Sequence, residues 1–300
     1  MRQGFLNLSG NARGCIWMAL CGLGFSVMAA FVKLVGQAGI NTFEITFFRC
    51  FIGFLMLVPF IVKTGPRGLH TQHLKAHVLR SGLGIVAMAC SYLGIAKLEL
   101  ATYTALSFTK PLFAVLLAVI ILKEDVRWRR WAATIVGFLG VLVMMQPGSG
   151  AFNPWALLAL GDAMSIALLI TILKRLPASE TPLIMLFYYG LIATALVAPP
   201  AIYYWQWPEP IEWLYLIIIG ATGAMSQYWW ILAFKAGEAS VVAPFDYLRL
   251  LFAGAVGFMV FAELPDHWTL IGAGLIISST VYIAQREARL GQSQAKLPGT

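Results

Sequence analysis

Residues 101–125 read ATYTALSFTKPLFAVLLAVIILKED. The run is apolar over enough length to cross a bilayer as one helix, since about 20 residues at a rise of ~1.5 Å cover a hydrocarbon core ~30 Å thick. Lys110 stands about 12 Å inside that helix, where an ammonium costs roughly 2.5–3.5 kcal/mol unless it meets water or a partner. Moved along by 139 positions, the stretch returns as residues 240–264, SVVAPFDYLRLLFAGAVGFMVFAEL. The shift lays Glu99 on Glu238, Lys110 on Arg249, Leu112-Phe113-Ala114 on Leu251-Phe252-Ala253 and Glu124 on Glu263. A repeat that keeps its costly charge in place implies two related halves around a polar centre.

Composition agrees. With 60% hydrophobic and 11% charged residues and a mean hydropathy of +0.80, the chain is excluded from the soluble single-core class and reads as an all-α polytopic membrane protein. Cys15, Cys21, Cys50 and Cys90 all fall in apolar runs, which suits packing and neither a disulfide framework nor a metal site. The net charge of +8 does not point to nucleic acid, because the bases are scattered in short inter-span loops.

Outward from this stretch, spans are expected near residues 14–35, 43–63, 77–97, 102–122, 128–146, 154–173, 182–204, 212–234, 240–262 and 268–285, ten in all. The first run could serve as a signal peptide, but it is longer than a usual apolar signal core and lacks a convincing cleavage site. Gly65-Pro66, Pro147-Gly148, Pro177, Pro208 and Pro265 punctuate the loops. With both termini cytoplasmic, sixteen of the 21 bases fall on the inner side, Arg80 among them, and only Lys33 and Lys97 in outer loops. The excess of inner bases orients the chain. Five spans per half then make the repeat inverted, with halves at 1–147 and at 148–300, the second ending in a short basic tail. The same register aligns Thr42, Ile45 and Phe48 with Thr181, Ile184 and Phe187, and Gly84 with Gly223.

Several residues are candidates for the polar centre. Tyr103, Ser107, Lys110 and Ala114 share one stripe of span four, and Asp246, Arg249 and Ala253 share one of span nine. Lys110 or Arg249 would hold a carboxylate or phosphate of the cargo and Asp246 an amine or proton; alternatively Asp246 and Arg249 pair only with each other. Asp162 lies about 12 Å into span six, to be protonated, wet, or paired with Arg49 or Lys110. Glu44 and Arg49 are expected at an interface, Arg49 snorkelling outward. In span eight Gly220, Gly223, Gln227 and Trp230 form a stripe in which the glycines admit a neighbouring helix and Gln227 and Trp230 face a cavity. Glu124 and Glu263 are expected to favour the N-termini of the helices that follow them. His70, His73 and His77 are expected in an interfacial segment, not around a metal. No acid/base, metal or Ser/His constellation supports a membrane-embedded enzyme.

Leu106-Ser107-Phe108-x-x-Pro111-Leu112-Phe113 followed by Lys123-Glu124, and Phe261-x-Glu263-x-Pro265-Asp266 in the second half, resemble the EamA family of the drug/metabolite transporter superfamily. The resemblance covers residues 14–287, and Pro244-Phe245-x-Tyr247 is similar to a subgroup with S-adenosylmethionine and riboflavin carriers. It implies a multi-pass transporter of the bacterial inner membrane, a small-molecule substrate, no cofactor and no enzymatic step. A coupling proton, an exchanged solute and a homodimer stay open. Leu250 replaces Pro111 in the second half, so the two halves are expected to bend at different depths. Bases, acids and aromatic surface together suit a zwitterionic cargo, an amino acid or a derivative such as S-adenosylmethionine ahead of riboflavin or an amine drug.

Overall fold

The computed structural model describes residues 9–65, 70–71, 73–123, 128–148, 152–173 and 182–295. Its helices are α1 (Gly10–Gln37), α2 (Thr42–Thr64), α3 (Leu74–Lys97), α4 (Leu100–Ser107), α5 (Lys110–Leu122) and α6 (Trp128–Met145) in the first half. The second half has α7 (Ala156–Leu173), α8 (Pro182–Tyr203), α9 (Pro210–Ala236), α10 (Ala239–Val242), α11 (Leu248–Phe261) and α12 (His267–Ala295). Among the described residues nine helical segments are long and apolar enough to cross a membrane, and the apolar Ala156–Thr171 supplies a tenth, shorter one. The expected order of spans is thus present. We call the face that holds the start of α1 and the end of α12 the terminal face, and the opposite one the far face.

Local chemistry sets the ends of these helices. The Ser9 hydroxyl accepts from Ala12 N, Asn41 Oδ1 from Phe43 N, and Asp266 Oδ1 from Thr269 N, each satisfying a donor that the first helical turn leaves unpaired. Glu209 and Glu212 form a reciprocal capping box with Pro210 between them. At the other ends, Lys123 and Ala262 both take left-handed backbone (φ 54° and 56°), and they are mates in the 139-residue repeat. The repeat therefore extends to backbone conformation.

Packing shows the same symmetry. The main neighbours are α1 with α9 and α3 with α7, α2 with α8, and α6 with α12. Exchanging the halves turns each pairing into itself or into another of the set, as an inverted repeat requires. Each half thus buries its apolar faces largely against the other. A ring of exposed apolar side chains, including Phe60, Ile120, Leu139, Ile202 and Met259, covers the outside, the surface a helical bundle presents to hydrocarbon.

The spans that organised the sequence are broken. In span four the helix stops at Ser107; Phe108 N and Thr109 N turn back to Ala105 O and Leu106 O, and α5 starts at Lys110 with Pro111 in its first turn. In span nine a 3-10 turn over Ala243–Tyr247 precedes α11. In the repeat register the helices after the two breaks start one residue apart, at Lys110 and Leu248, whereas those before them end four apart, at Ser107 and Val242, so the expected difference in depth is confined to the first side of the break. Pro111 cannot donate to the preceding turn and Pro244 cannot donate to its own, so prolines at non-equivalent positions yield breaks after which the helix resumes at nearly the same depth.

Candidate functional site

A cavity of about 280 Å³ lies at the centre, lined from α1, α2, α3, both broken spans, α7, α8 and α9. Its charged lining is Arg49, Arg80, Lys110, Asp162 and Arg249. Asp162 is buried; its Oδ2 accepts from the Tyr103 hydroxyl at 2.9 Å and lies 3.6 Å from Lys110 Nζ. Tyr103 also meets the Ser91 hydroxyl at 2.5 Å. Two groups of span four, Tyr103 before its break and Lys110 just after it, therefore converge on one carboxylate of span six, with Ser91 of span three behind Tyr103. Of the partners considered for Asp162, the structure brings Lys110.

A second chamber of about 480 Å³ adjoins on the terminal side, lined by Ser107, Phe108, Asp246, Tyr247, Thr280 and Gln285 among others. Lys110 and Arg249 line both spaces and stand between them. Arg249 Nη2 donates to Ser107 Oγ at 2.9 Å and its guanidinium lies 5.1 Å from the Phe108 ring centroid, a cation–π distance. Arg249 therefore turns toward span four, and among the described ion pairs none joins it to Asp246. Tyr247 closes the wall, its ring 4.8 Å from that of Phe108 and its hydroxyl donating to Thr280 Oγ1 at 2.5 Å. Ala284 and Gln285 at the outer rim are exposed.

The far face is shut. Lys33, on α1, is buried; it donates to Leu98 O at 2.6 Å and pairs with Glu263 Oε1, while Glu263 Oε2 accepts from Leu100 N at 3.0 Å. This corrects the role expected of Glu263, because the helix that follows it is capped by Asp266 and Glu263 reaches across to the first half. Glu124 lies outside the described residues. Val32, Val35, Ile95, Leu98 and Leu100, neighbours of these residues along the chain, are buried in the same apolar cluster. Beside it, burial raises the Glu99 carboxyl above its ordinary range, the Thr102 hydroxyl opposes, and Glu263 and Asp266 add repulsion.

Other expectations need correction. Arg49 does not snorkel outward: it is buried, faces the cavity and donates to Gln227 Oε1 at 3.1 Å. Glu44 is likewise buried and accepts from Gln206 N at 3.2 Å. Arg80 is not a loop base but lines the cavity, donating to Met185 O at 2.6 Å. His77 is buried and stacked on Tyr188, not interfacial. Gln227 is in the cavity, whereas Trp230 points away, half-exposed and edge-on to Phe234. The glycines of that stripe do admit a neighbour: a Cβ on Gly220 would meet Ile52 and one on Gly223 would meet Arg49. The cavity role of Arg80 had a signal in the sequence, since Arg80, Gly84, Ala87 and Ser91 recur at helical spacing and all line the cavity.

The model of the EamA-like transporter family matches residues 12–146 and again 153–285, nearly the whole chain in two copies. The chain belongs to the EamA-like transporter family. It is 34% identical over 276 residues to the S-adenosylmethionine uptake transporter of Rickettsia prowazekii (strain Madrid E), covering 92% of this chain and 94% of that one. It is 28% identical to the riboflavin transporter of Vibrio cholerae serotype O1, covering 95% and 97%. A solved crystal structure at 19% identity has the same fold, with a TM-score of 0.58 over 89% of this chain and 96% of the other. As an EamA-like protein the chain is a multi-pass membrane transporter of a small molecule.

Proposed function

We propose that this transporter moves a zwitterionic amino-acid derivative, S-adenosylmethionine first among the candidates, across the bacterial inner membrane with both termini in the cytoplasm and the cargo unmodified. The carrying observation is the central cavity, where one buried carboxylate, Asp162, is held by Lys110 and Tyr103 among several bases. A cargo cation can replace Lys110 at Asp162, and a cargo carboxylate can take the base so released, so loading exchanges one set of charge pairs for another. Arg249 and Gln227 are assigned contacts in the same cavity, and Ser107 and Asp246 contacts in the terminal-side chamber. The segments 1–147 and 148–300 are assigned as the two halves that rock about this site.

The rickettsial relative at 34% identity supports this cargo. A riboflavin reading is favoured by the Vibrio relative, but a flavin without a fixed charge leaves Asp162 and the bases unused. The test is a thermal-shift screen of purified protein against S-adenosylmethionine, amino acids, riboflavin and amines, followed by uptake into proteoliposomes. We expect S-adenosylmethionine to stabilise the protein and to be taken up. Stabilisation and uptake of riboflavin alone would overturn the reading.

A further inference from the structure

The central cavity holds four bases against one acid among its described lining residues. Lys110 faces Asp162, and Arg249, only half-buried, borders the terminal-side chamber. Arg80 spends a donor on Met185 O and lies over the Tyr189 ring. Arg49 differs from all three. It alone of the four is buried, at 7% exposed, its polar partners are neutral, the Gln227 amide oxygen at 3.1 Å and the Tyr92 hydroxyl, and its Nε, like that of Arg80, has no acceptor among the described residues. A guanidinium carries five N–H donors and keeps its charge at any pH a cell reaches.

The backbone makes room for this group. Gly223 on α9 has no Cβ where one would lie 3.3 Å from Arg49 Nε, and Gly53, one turn along α2, leaves its own Cβ position 3.6 Å from Nη1. A cation so enclosed, with no carboxylate paired to it among the described residues, lacks the counter-charge that burial in a membrane demands. We propose that Arg49 is the anion-binding residue of the central cavity, gripping the cargo's carboxylate with its planar fork while Asp162 receives the cargo's cationic group. The fork matches two carboxylate oxygens, which a lysine at the same place would not. Lys110 and Arg249 then handle the carboxylate at the boundary between the chambers, and Arg49 holds it at the end of the path. The proposal rests on the reading of the cargo as a zwitterion and adds which base recognises its acid.

The experiment compares free acids with their methyl esters, using S-adenosylmethionine, methionine and phenylalanine as probes on purified full-length protein. Wild-type protein should bind the preferred free acid at least about 30-fold more tightly than its ester, since the ester leaves a buried charge unpaired. In Arg49→Met that preference should fall to about threefold or less, and Arg49→Lys, which keeps the charge but not the fork, should lie between. Empty Arg49→Met should unfold at the wild-type temperature or above, because an uncompensated buried charge has been removed. Persistence of the preference in Arg49→Met would overturn the proposal, as would a lower unfolding temperature with acid and ester weakened alike, which marks a structural arginine. Stabilisation by chloride alone, equal in size to that by any free acid, would also overturn it. A wild-type preference for methionine or phenylalanine over the ester, lost in Arg49→Met, would uphold Arg49 while overturning S-adenosylmethionine as cargo. A wild-type protein that prefers none of the three acids overturns Arg49 as the carboxylate site.

Discussion

Replacing Lys33 by methionine should open the far face. In the closed state Lys33 is buried, joins Glu263 and donates to Leu98 O, so one side chain fastens α1 to the end of α11 and to the turn before α4. Methionine keeps the length of the stem and removes the charge. Glu263, whose side chain is 16% exposed, then keeps the Leu100 N–H at 3.0 Å but loses its cation. Breaking a buried pair by removing one partner costs about 3–5 kcal/mol, and the partial exposure of Glu263 argues for the lower end. At ~1.4 kcal/mol per decade, ~3 kcal/mol raises the far-open population by about 100-fold. Val35, fully buried two residues beyond Lys33 toward the far-face end of α1, reports the opening. In a background without the four native cysteines, Val35→Cys should react with a membrane-impermeant maleimide about 100-fold faster once Lys33→Met is added, provided opening is rare and fast. Glu263→Gln in the same chain should recover part of the protection, because it removes the orphaned carboxylate. Unchanged labelling in correctly inserted Lys33→Met protein would refute the argument that this pair holds the far face shut.

Further outcomes can be checked independently. Asp162→Asn leaves Lys110 without its acid and weakens the charge-assisted bond from Tyr103, so uptake should fall at least about tenfold while stability drops by about 2 kcal/mol; wild-type uptake in proteoliposomes would exclude Asp162 from the path. Gly84→Val places a Cβ 2.6 Å from the Tyr189 ring and should cost roughly 1–3 kcal/mol, whereas Gly274→Ala, with nothing within 4 Å, should be neutral or stabilising by up to about 1 kcal/mol, both read by thermal unfolding in detergent. Because the Glu99 carboxyl is raised in the folded protein, the folded state binds more protons there than the unfolded chain. The closed far face should therefore lose stability as pH rises past the ordinary carboxylate range and regain it on acidification, and Glu99→Gln should flatten that pH dependence in the Val35→Cys labelling assay. Reporter fusions after Gly65 and Gln285 should be cytoplasmic and those after Gly148 and Pro208 periplasmic; a periplasmic Gln285 fusion would overturn the proposed orientation.

The sequence by itself determined the membrane class, the order of the spans and the repeat. Each of these is written in properties that survive without tertiary context: apolar length, loop breakers, and a register that superposes Lys110 on Arg249 and Lys123 on Ala262. It also marked Asp162, Tyr103, Lys110 and Gln227, because a polar group deep in an apolar helix stands out. Which of these groups meet was decided only by the packing of the halves. Asp162 is 59 positions from Tyr103, Arg49 is 178 from Gln227 and Lys33 is 230 from Glu263, separations that no helical period connects. Arg49 and Trp230 show the limit most plainly. A helix has a face toward lipid and a face toward its neighbours, and for a long side chain near a span's end the sequence allows either. The close approach of α9 at Gly220 and Gly223 turned Arg49 inward, and the contact of Trp230 with Phe234 left the indole outside.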